Sequence, residues 1–211
     1  MFPNHNPTPV EQLNQEFFNT ATCLPRLLRE CKLVRAGNKR NMAREQLIAE
    51  LIDLQIYLDN CVETLRAVSS EPWETLSSHG DELLPFVYMF ENNYSASLFC
   101  YCASFSLITR RLIAELRVPG WDFSALRNNL IENICKTVEY ATSKKAGVFG
   151  LFFITFNLRI AYSIAKDPLR SWIMEKLTYI AKVMPVALPD PNEDEWDAIE
   201  EVDSEEEAVI A

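Results

Sequence analysis

Apolar residues recur at spacings of three and four along much of this chain, which is the period of one face of an α-helix. The clearest stripe lies in residues 41–68 and consists of Leu47, Leu51, Leu54, Leu58, Cys61 and Leu65. It predicts one long helix over that range.

An earlier helix and its continuation should precede this stripe. Residues 8–11 have the form of a capping box, with Pro at the first helical position and Glu at the third, which predicts a helix from Pro9 toward Cys23. Pro25 should kink or end that helix, and the chain should resume as a helix that stops near Gly37.

The second half of the chain repeats the helical pattern. A broad apolar surface predicts a central helix over residues 92–117, and a narrower stripe predicts a fourth helix over residues 124–141. A fifth helix should follow Gly147, and a sixth should run over residues 168–184. Residues 69–85 hold prolines, a glycine and several serines, and we expect a loop or a short irregular helix there.

Composition supports one helical domain and locates the charge outside it. A chain of 211 residues with 48% hydrophobic content can bury one good core, and five glycines with little β-branched alternation argue against a β-sandwich or a dinucleotide-binding fold. We predict an all-α protein with a single helical domain of about six main helices in residues 1–188.

The formal charge of −10 belongs to the C-terminus. Residues 190–207 contain eleven of the 30 acids and none of the 20 bases, so 19 acids face 20 bases elsewhere. Residues 189–211 are therefore predicted to be a disordered acidic tail. Residues 92–109 carry no charge, but their Asn, Ser and Thr dilute the apolar character, and we expect no membrane association.

The six cysteines do not form the pattern of a metal site or of a disulfide scaffold. They lie at positions 23, 31, 61, 100, 102 and 135, with mostly wide gaps and no pair separated by two residues. Cysteine in an apolar helical pattern behaves as a small buried hydrophobe. The first residues also lack the basic and then apolar run of a signal peptide, so we expect reduced thiols in an intracellular compartment, no metal and no cofactor.

Two neighbouring segments carry a resemblance to a known family. Residues 134–140 read Ile-Cys-Lys-Thr-Val-Glu-Tyr, and residues 147–150 read Gly-Val-Phe-Gly and run into Phe-Asn-Leu-Arg-Ile-Ala-Tyr at residues 156–162. The pair resembles the C-terminal part of the regulatory region of fungal binuclear-zinc-cluster transcription factors. The likeness extends over roughly residues 86–184, with Asn157 where the family commonly has Pro.

The resemblance implies a non-enzymatic protein of transcriptional control in the nucleus. It would act through protein partners, either the transcription machinery or a DNA-binding subunit. This chain holds no cluster of six closely spaced cysteines, so no direct sequence-specific DNA binding is expected. The alternative is a stand-alone helical interaction or scaffold protein, or a truncated family member without regulatory activity, which could be cytoplasmic.

The paired motif also has an ordinary structural interpretation. Tyr140 can turn its ring inward while its hydroxyl reaches a partner, and Lys136 and Glu139 can form a weak ion pair. Gly147 and Gly150 permit positive φ or a close backbone approach. We therefore predict that the two segments are adjacent antiparallel helices packed on each other.

One aromatic cluster is a candidate small-molecule pocket. It consists of Phe149, Phe152, Phe153 and Phe156, with Arg159 beside it. Some members of the resembled family sense metabolites, which makes a small-molecule effector conceivable here. Filling of the core is the simpler interpretation, because Phe at helical spacing is common in cores.

The acidic tail holds a candidate activation segment. Trp196, Ile199 and Val202 recur at i, i+3 and i+6 among the acids, which makes a short amphipathic stretch too small to fold alone. Such sequences dock on grooves of partner proteins. A merely solubilising tail is the alternative.

Nothing in the sequence indicates catalysis. His5 and His79 are the two histidines, and no nucleophile-elbow, phosphate-loop or zinc-protease motif occurs. Catalysis by histidine would have to use His79, which makes it the first residue to inspect. We therefore predict a protein without catalytic residues.

Overall fold

The computed structural model describes residues 6–37, 41–69, 71–121 and 123–184, and in these ranges the protein is all-α apart from one small hairpin. The helices are α1 (Pro9–Ala21), α2 (Leu24–Arg35), α3 (Asn41–Ser69), α4 (Asn93–Glu115), α5 (Phe123–Lys136), α6 (Val138–Ala141), α7 (Gly147–Ile164) and α8 (Leu169–Val183). The strands are β1 (Trp73–Leu76) and β2 (Phe86–Met89). The predicted all-α class is confirmed, and the predicted acidic tail lies outside the described residues.

The first helix begins as the sequence predicts. The Thr8 hydroxyl accepts a hydrogen bond from the Glu11 backbone N–H at 3.2 Å, and the Glu11 carboxylate accepts one from the Thr8 backbone N–H at 2.8 Å. This reciprocal pair satisfies two backbone donors at the helix start. The predicted interruption also occurs, since α1 ends at Ala21 and α2 begins just before Pro25.

Helix α4 is the centre of the core, because it packs against α1, α3, α5 and α7. Its small buried hydroxyl residues let the neighbouring helices approach and bond to them. Ser106 accepts a hydrogen bond from Gln55 Nε2 on α3 at 3.2 Å, and Ser104 donates one to Asn157 Oδ1 on α7 at 2.6 Å. Asn157 is fully buried and also donates from Nδ2 to the Phe153 carbonyl at 2.7 Å. The polar residues of α4 therefore link helices inside the core.

The predicted helix over residues 124–141 is divided in two. Helix α5 ends at Lys136, and α6 is a single turn that begins after Thr137. The backbone N–H of Thr137 bonds to the carbonyl of Ile134, three residues back, at 3.1 Å, while its hydroxyl bonds to the Asn133 carbonyl at 3.0 Å. A side-chain hydroxyl that competes for helix carbonyls in this way disturbs the regular ladder.

The prediction of a loop or short irregular helix over residues 69–85 is wrong for residues 73–76, which form β1, whereas residues 77–85 are the loop between the strands. An antiparallel hairpin forms there, with Trp73 opposite Met89 and Leu76 opposite Phe86. All four residues of β1 are exposed, so no alternation of apolar and polar residues marks the strand in the sequence. The hairpin depends on the packing of β2 against α5 and α6, which is a tertiary interaction.

The two motif segments pack directly on each other, as predicted. A Cβ atom built on Gly150 would lie 2.2 Å from the Ala141 carbonyl oxygen, so only glycine permits this contact between α6 and α7. Gly147 has φ +59°, which favours glycine at the start of α7. The Tyr140 ring is buried, and its hydroxyl donates to Asn93 Oδ1 at 3.2 Å.

Among the described helices, α7 alone has the length and apolar composition of a membrane span. The same helix packs against α4, α5, α6 and α8, and 56% of its span is buried inside the protein. This burial is what the central helix of a folded domain requires.

Replacement of Gly150 by Ala should destabilise the protein. Ala is the better helix former by about 1 kcal/mol, but the added Cβ has no room beside the Ala141 carbonyl. We expect a net loss of about 1–3 kcal/mol in the free energy of unfolding, measured by urea denaturation.

The matched control is Val148→Ala, two residues before Gly150 at a site that is 74% exposed. It should change the free energy of unfolding by no more than about 0.5 kcal/mol. A Gly150→Ala variant as stable as the wild type would disprove the close approach of α6 and α7.

Candidate hairpin cavity

A cavity of about 610 Å³ lies between the loop of the hairpin, helix α6 with the turn after it, and helix α8; we call it the hairpin cavity. The size is within the range of small-molecule sites. Its apolar part is formed by Leu84, Val87, Met89, Cys135, Val138 and Trp172. Its polar part includes Ser77, Ser78, His79, Asp81, Glu139, Lys144, Glu175 and Lys176.

Asp81 ties the hairpin loop to α8. Its Oδ2 accepts a hydrogen bond from the Trp172 indole N–H at 2.5 Å, and its Oδ1 accepts from the backbone N–H groups of Leu83 and Leu84 at 3.1 and 3.3 Å. Lys176 Nζ lies 3.7 Å from Oδ2. Burial alone would raise the pKa of the Asp81 carboxyl, but these donors outweigh it and hold the pKa below its ordinary value.

Glu139 ties the same loop to α6. Its carboxylate accepts from the Ser77 hydroxyl at 2.9 Å and from the Ser78 backbone N–H at 3.1 and 3.2 Å. Burial opposes ionisation, but the hydrogen bonds from Ser78 and Ser77, with the nearby His79, lower the pKa of Glu139 below its ordinary value. Two carboxylates therefore attach the loop that borders the cavity, Asp81 to α8 and Glu139 to α6.

The predicted ion pair between Lys136 and Glu139 is wrong. Lys136 Nζ instead bonds to Glu74 Oε1 on β1 at 2.6 Å and lies 5.2 Å from the centre of the Tyr88 ring. Burial would lower the pKa of Lys136, but the Glu74 hydrogen bond and the neighbouring groups raise it. Lys136 therefore pairs with Glu74 of β1, and Glu139 bonds to Ser77 and Ser78 of the hairpin loop, instead of pairing with each other.

The groups in the cavity that could react are poorly placed for chemistry. His79 shares the cavity with Cys135 and Glu139, but its side chain is exposed at the rim. Cys135 is buried, and burial raises the pKa of its thiol above the ordinary range, so that it stays protonated. The Cys135 thiol is therefore not an activated nucleophile.

The remaining thiols are free, and most of them are buried. Cys31, Cys61, Cys100 and Cys102 are buried like Cys135, which agrees with the predicted packing role, and Cys23 is half-buried. Burial raises the pKa of Cys31 and of Cys100 to about 12. Within the described ranges, no group of three or more His, Cys, Asp or Glu side chains is placed to hold a metal ion.

The predicted aromatic pocket does not form as a unit. Phe153 is fully buried in the core, whereas Phe149 and Phe152 are 48% and 66% exposed on the outer side of α7. Phe156 lines a separate groove against α1, α2 and α4, and Arg159 is half-buried and does not line it. The four positions share one face of α7 that is about 100° wide. Phe153 lies at its core-facing edge, where its ring centre is 5.8 Å from that of Phe149, and Phe152 lies at its solvent-facing edge. The candidate activation residues Trp196, Ile199 and Val202 lie outside the described residues.

The hairpin cavity was missed in the sequence analysis because no single segment encodes it. Its walls come from three parts of the chain that meet only after the hairpin docks. One local signal was present: the polar run Ser-Ser-His-Gly-Asp at residues 77–81 follows β1 and precedes the mainly apolar residues 83–90. A turn of this composition between apolar segments is typical of a hairpin.

Substitution of Glu139 by Gln tests the hydrogen bonds that attach the hairpin loop to α6. The variant loses hydrogen bonds to a charged acceptor, so we expect the free energy of unfolding at pH 7 to fall by about 1 kcal/mol. The pKa of Glu139 is lower in the folded state, so its ionised form stabilises the fold above the unfolded pKa of about 4.3. The difference between wild type and variant should shrink as the pH falls through the folded pKa.

Urea denaturation from pH 7 down to about pH 3, below the unfolded pKa, measures both effects. The control is Glu175→Gln on the same cavity, since that carboxylate is 73% exposed and contacts only Lys176 among the described ion pairs. It should have little effect at any pH. Equal losses in the two variants would contradict the role given to Glu139.

Comparison with known proteins gives no match of any kind. No protein-family model, no curated protein and no solved structure matches this chain. Its function is therefore argued from its own residues.

Proposed function

We propose that the protein is a non-enzymatic regulator of transcription that acts through protein partners, and that the hairpin cavity receives a small-molecule effector. The observation that carries the proposal is the position of the motif that resembles the fungal regulatory region. Cys135, Val138 and Glu139 of that motif are walls of the hairpin cavity. The residues of the resemblance thus lie where a ligand would bind.

The state of the polar groups favours binding over catalysis. Asp81 and Glu139 are engaged in holding the loop, and the Cys135 thiol is protonated. A general base or nucleophile needs a free and activated group beside the substrate. The apolar wall with a few fixed polar groups is instead typical of a site that selects a small molecule by shape.

A ligand in the cavity would act on the packing of the motif. Val138 and Glu139 belong to α6, and Ala141, the last residue of this helix, contacts Gly150 of α7. Tyr140, between them, bonds to Asn93 at the start of α4. The single turn of α6 therefore connects the cavity with both central helices, which gives effector binding a route to the rest of the domain.

The proposal places the protein in the nucleus, with the transcription machinery or a DNA-binding subunit as its partner. The competing proposal is a helical scaffold protein that binds partners without regulating transcription. The acidic segment, defined as residues 190–207, distinguishes the regulatory proposal from the scaffold proposal. Only the regulatory proposal requires that Trp196 and Ile199 enter a coactivator groove.

A reporter assay tests the regulatory proposal. Residues 190–211 fused to an unrelated DNA-binding domain should raise transcription in a fungal reporter strain. Replacement of Trp196 and Ile199 together by Ala should abolish most of this activity, because each buried apolar side chain contributes about 1.5–3 kcal/mol in a partner groove. The charge of the segment is unchanged in this variant.

Expression and nuclear location of both fusions serve as the control. A fusion that is present in the nucleus and inactive would remove the regulatory proposal and favour the scaffold. Activity that persists without Trp196 and Ile199 would show that charge alone produces the effect.

A further inference from the structure

A second concave surface lies on the side of α7 away from the hairpin. It has a volume of about 430 Å³, is open to solvent, and is bordered by α1, α2, α4 and α7; we call it the α7 groove. Its lining includes Phe18, Leu24, Leu28, Phe105, Phe156 and Ile160. Phe18 and Phe156 remain 44% and 45% exposed. Exposed apolar surface gathered in one depression marks an interaction site.

The groove offers apolar contact and no free polar group from its own lining. The two polar residues in that lining are Thr22 and Ser163. The Thr22 hydroxyl donates to the Asn19 carbonyl at 2.7 Å, and the Ser163 hydroxyl donates to the Ile160 carbonyl at 2.8 Å. Because both hydroxyls are engaged by their own helices, the groove selects apolar side chains rather than a polar ligand.

We propose that the α7 groove binds the acidic segment of this same chain through Trp196, Ile199 and Val202. These three residues recur at one-turn spacing among eleven acids, so the segment has an apolar side that is too small to be buried by itself. The α7 groove presents the complementary surface, a row of aromatic and aliphatic side chains between helices. An amphipathic helix laid into an apolar groove is a common mode of peptide recognition.

The length of chain after α8 allows this docking. Helix α8 starts at Leu169, six residues after Ser163 at the groove, and its 15 residues extend about 22 Å. The twelve peptide steps from Met184 to Trp196 can span up to about 40 Å when extended. Trp196 can therefore return to the groove with chain to spare.

The charges are also complementary. Residues 190–207 carry eleven negative charges and no positive one, whereas the rest of the chain has 20 bases against 19 acids. Two exposed cations flank the groove in sequence: Arg29 follows Leu28, and Lys166 comes three residues after Ser163. These cations, which are exposed and close to groove residues in sequence, attract the acids, while the apolar groove accepts the side chains between them.

This inference rests on the proposed activation role of the acidic segment. It adds that docking in the α7 groove regulates this role. With Trp196 and Ile199 in the α7 groove, the same side chains are withheld from a coactivator. A partner that binds the segment must compete with the groove. The protein would therefore hold its activation segment in check until the segment is released.

Fluorine NMR of the full chain labelled with 5-fluorotryptophan tests the docking. The protein has four tryptophans, and the Trp196 signal is identified from its loss in a Trp196→Phe variant. We expect the Trp196 line to be as broad as those of Trp73, Trp121 and Trp172, because a docked side chain tumbles with the domain. The line should narrow by about twofold or more when docking is lost.

Two matched substitutions on α7 locate the site. Phe156→Glu places a charge in the groove and should narrow the Trp196 line, whereas Phe152→Glu, at an exposed position outside the groove, should leave it broad. Ile199→Asp with Val202→Asp should also narrow the line. This second variant changes only the acidic segment and leaves the helical domain intact. The test therefore remains valid if the Phe156→Glu variant fails to fold.

Three results would overturn the proposal. The first is a narrow Trp196 line in the wild type. The second is a Trp196 line that stays broad in the Ile199→Asp, Val202→Asp variant. The third is a Trp196 line that narrows on dilution, because dissociation of dimers would assign the groove to a second copy of the chain. The reporter assay on isolated residues 190–211 does not involve the groove. Failure of docking and failure of activation are therefore distinguished.

Discussion

The position of the hairpin depends on two ionised carboxylates, Asp81 and Glu139. One connects the loop with α8 and the other connects it with α6, and each accepts hydrogen bonds that only the charged form can take in full. They add to the packing of β2 against α5 and α6 and to the ion pair between Lys136 and Glu74, since a two-stranded hairpin is only marginally stable by itself. These contacts fix the position of the loop that forms one wall of the hairpin cavity.

The helical framework could be predicted because its signals are local. The capping box at Thr8, the leucine stripe of α3 and the glycines around α7 each act within a few residues, and the structure has all of them. The hairpin and the break at Thr137 could not be predicted in the same way. The hairpin depends on partners that the chain brings close only after α4 and α5 have packed. The break coincides with hydrogen bonds from Thr137 to carbonyls three and four residues back, and a single Thr within an apolar helical pattern does not signal them.

The same reasoning explains the outcome for the candidate sites. The four phenylalanines of α7 look like one cluster in sequence, but the helix turns Phe153 into the core and leaves Phe149 and Phe152 at the surface. The hairpin cavity combines residues separated by about a hundred positions, from Ser77 to Tyr179, and no periodic pattern reveals such a combination. Local chemistry in the sequence identifies elements, whereas binding surfaces arise where distant elements meet.

The hydrogen bonds of α4 have a mechanical consequence. Ser106 joins it to α3 and Ser104 joins it to α7, with both hydroxyls buried away from water. A sliding or rotation of α4 would break both bonds without any solvent molecule to replace them. The three helices α3, α4 and α7 thus behave as a rigid unit. The elements that can move in response to a bound molecule are those packed around this unit, namely the hairpin, α6 and α8.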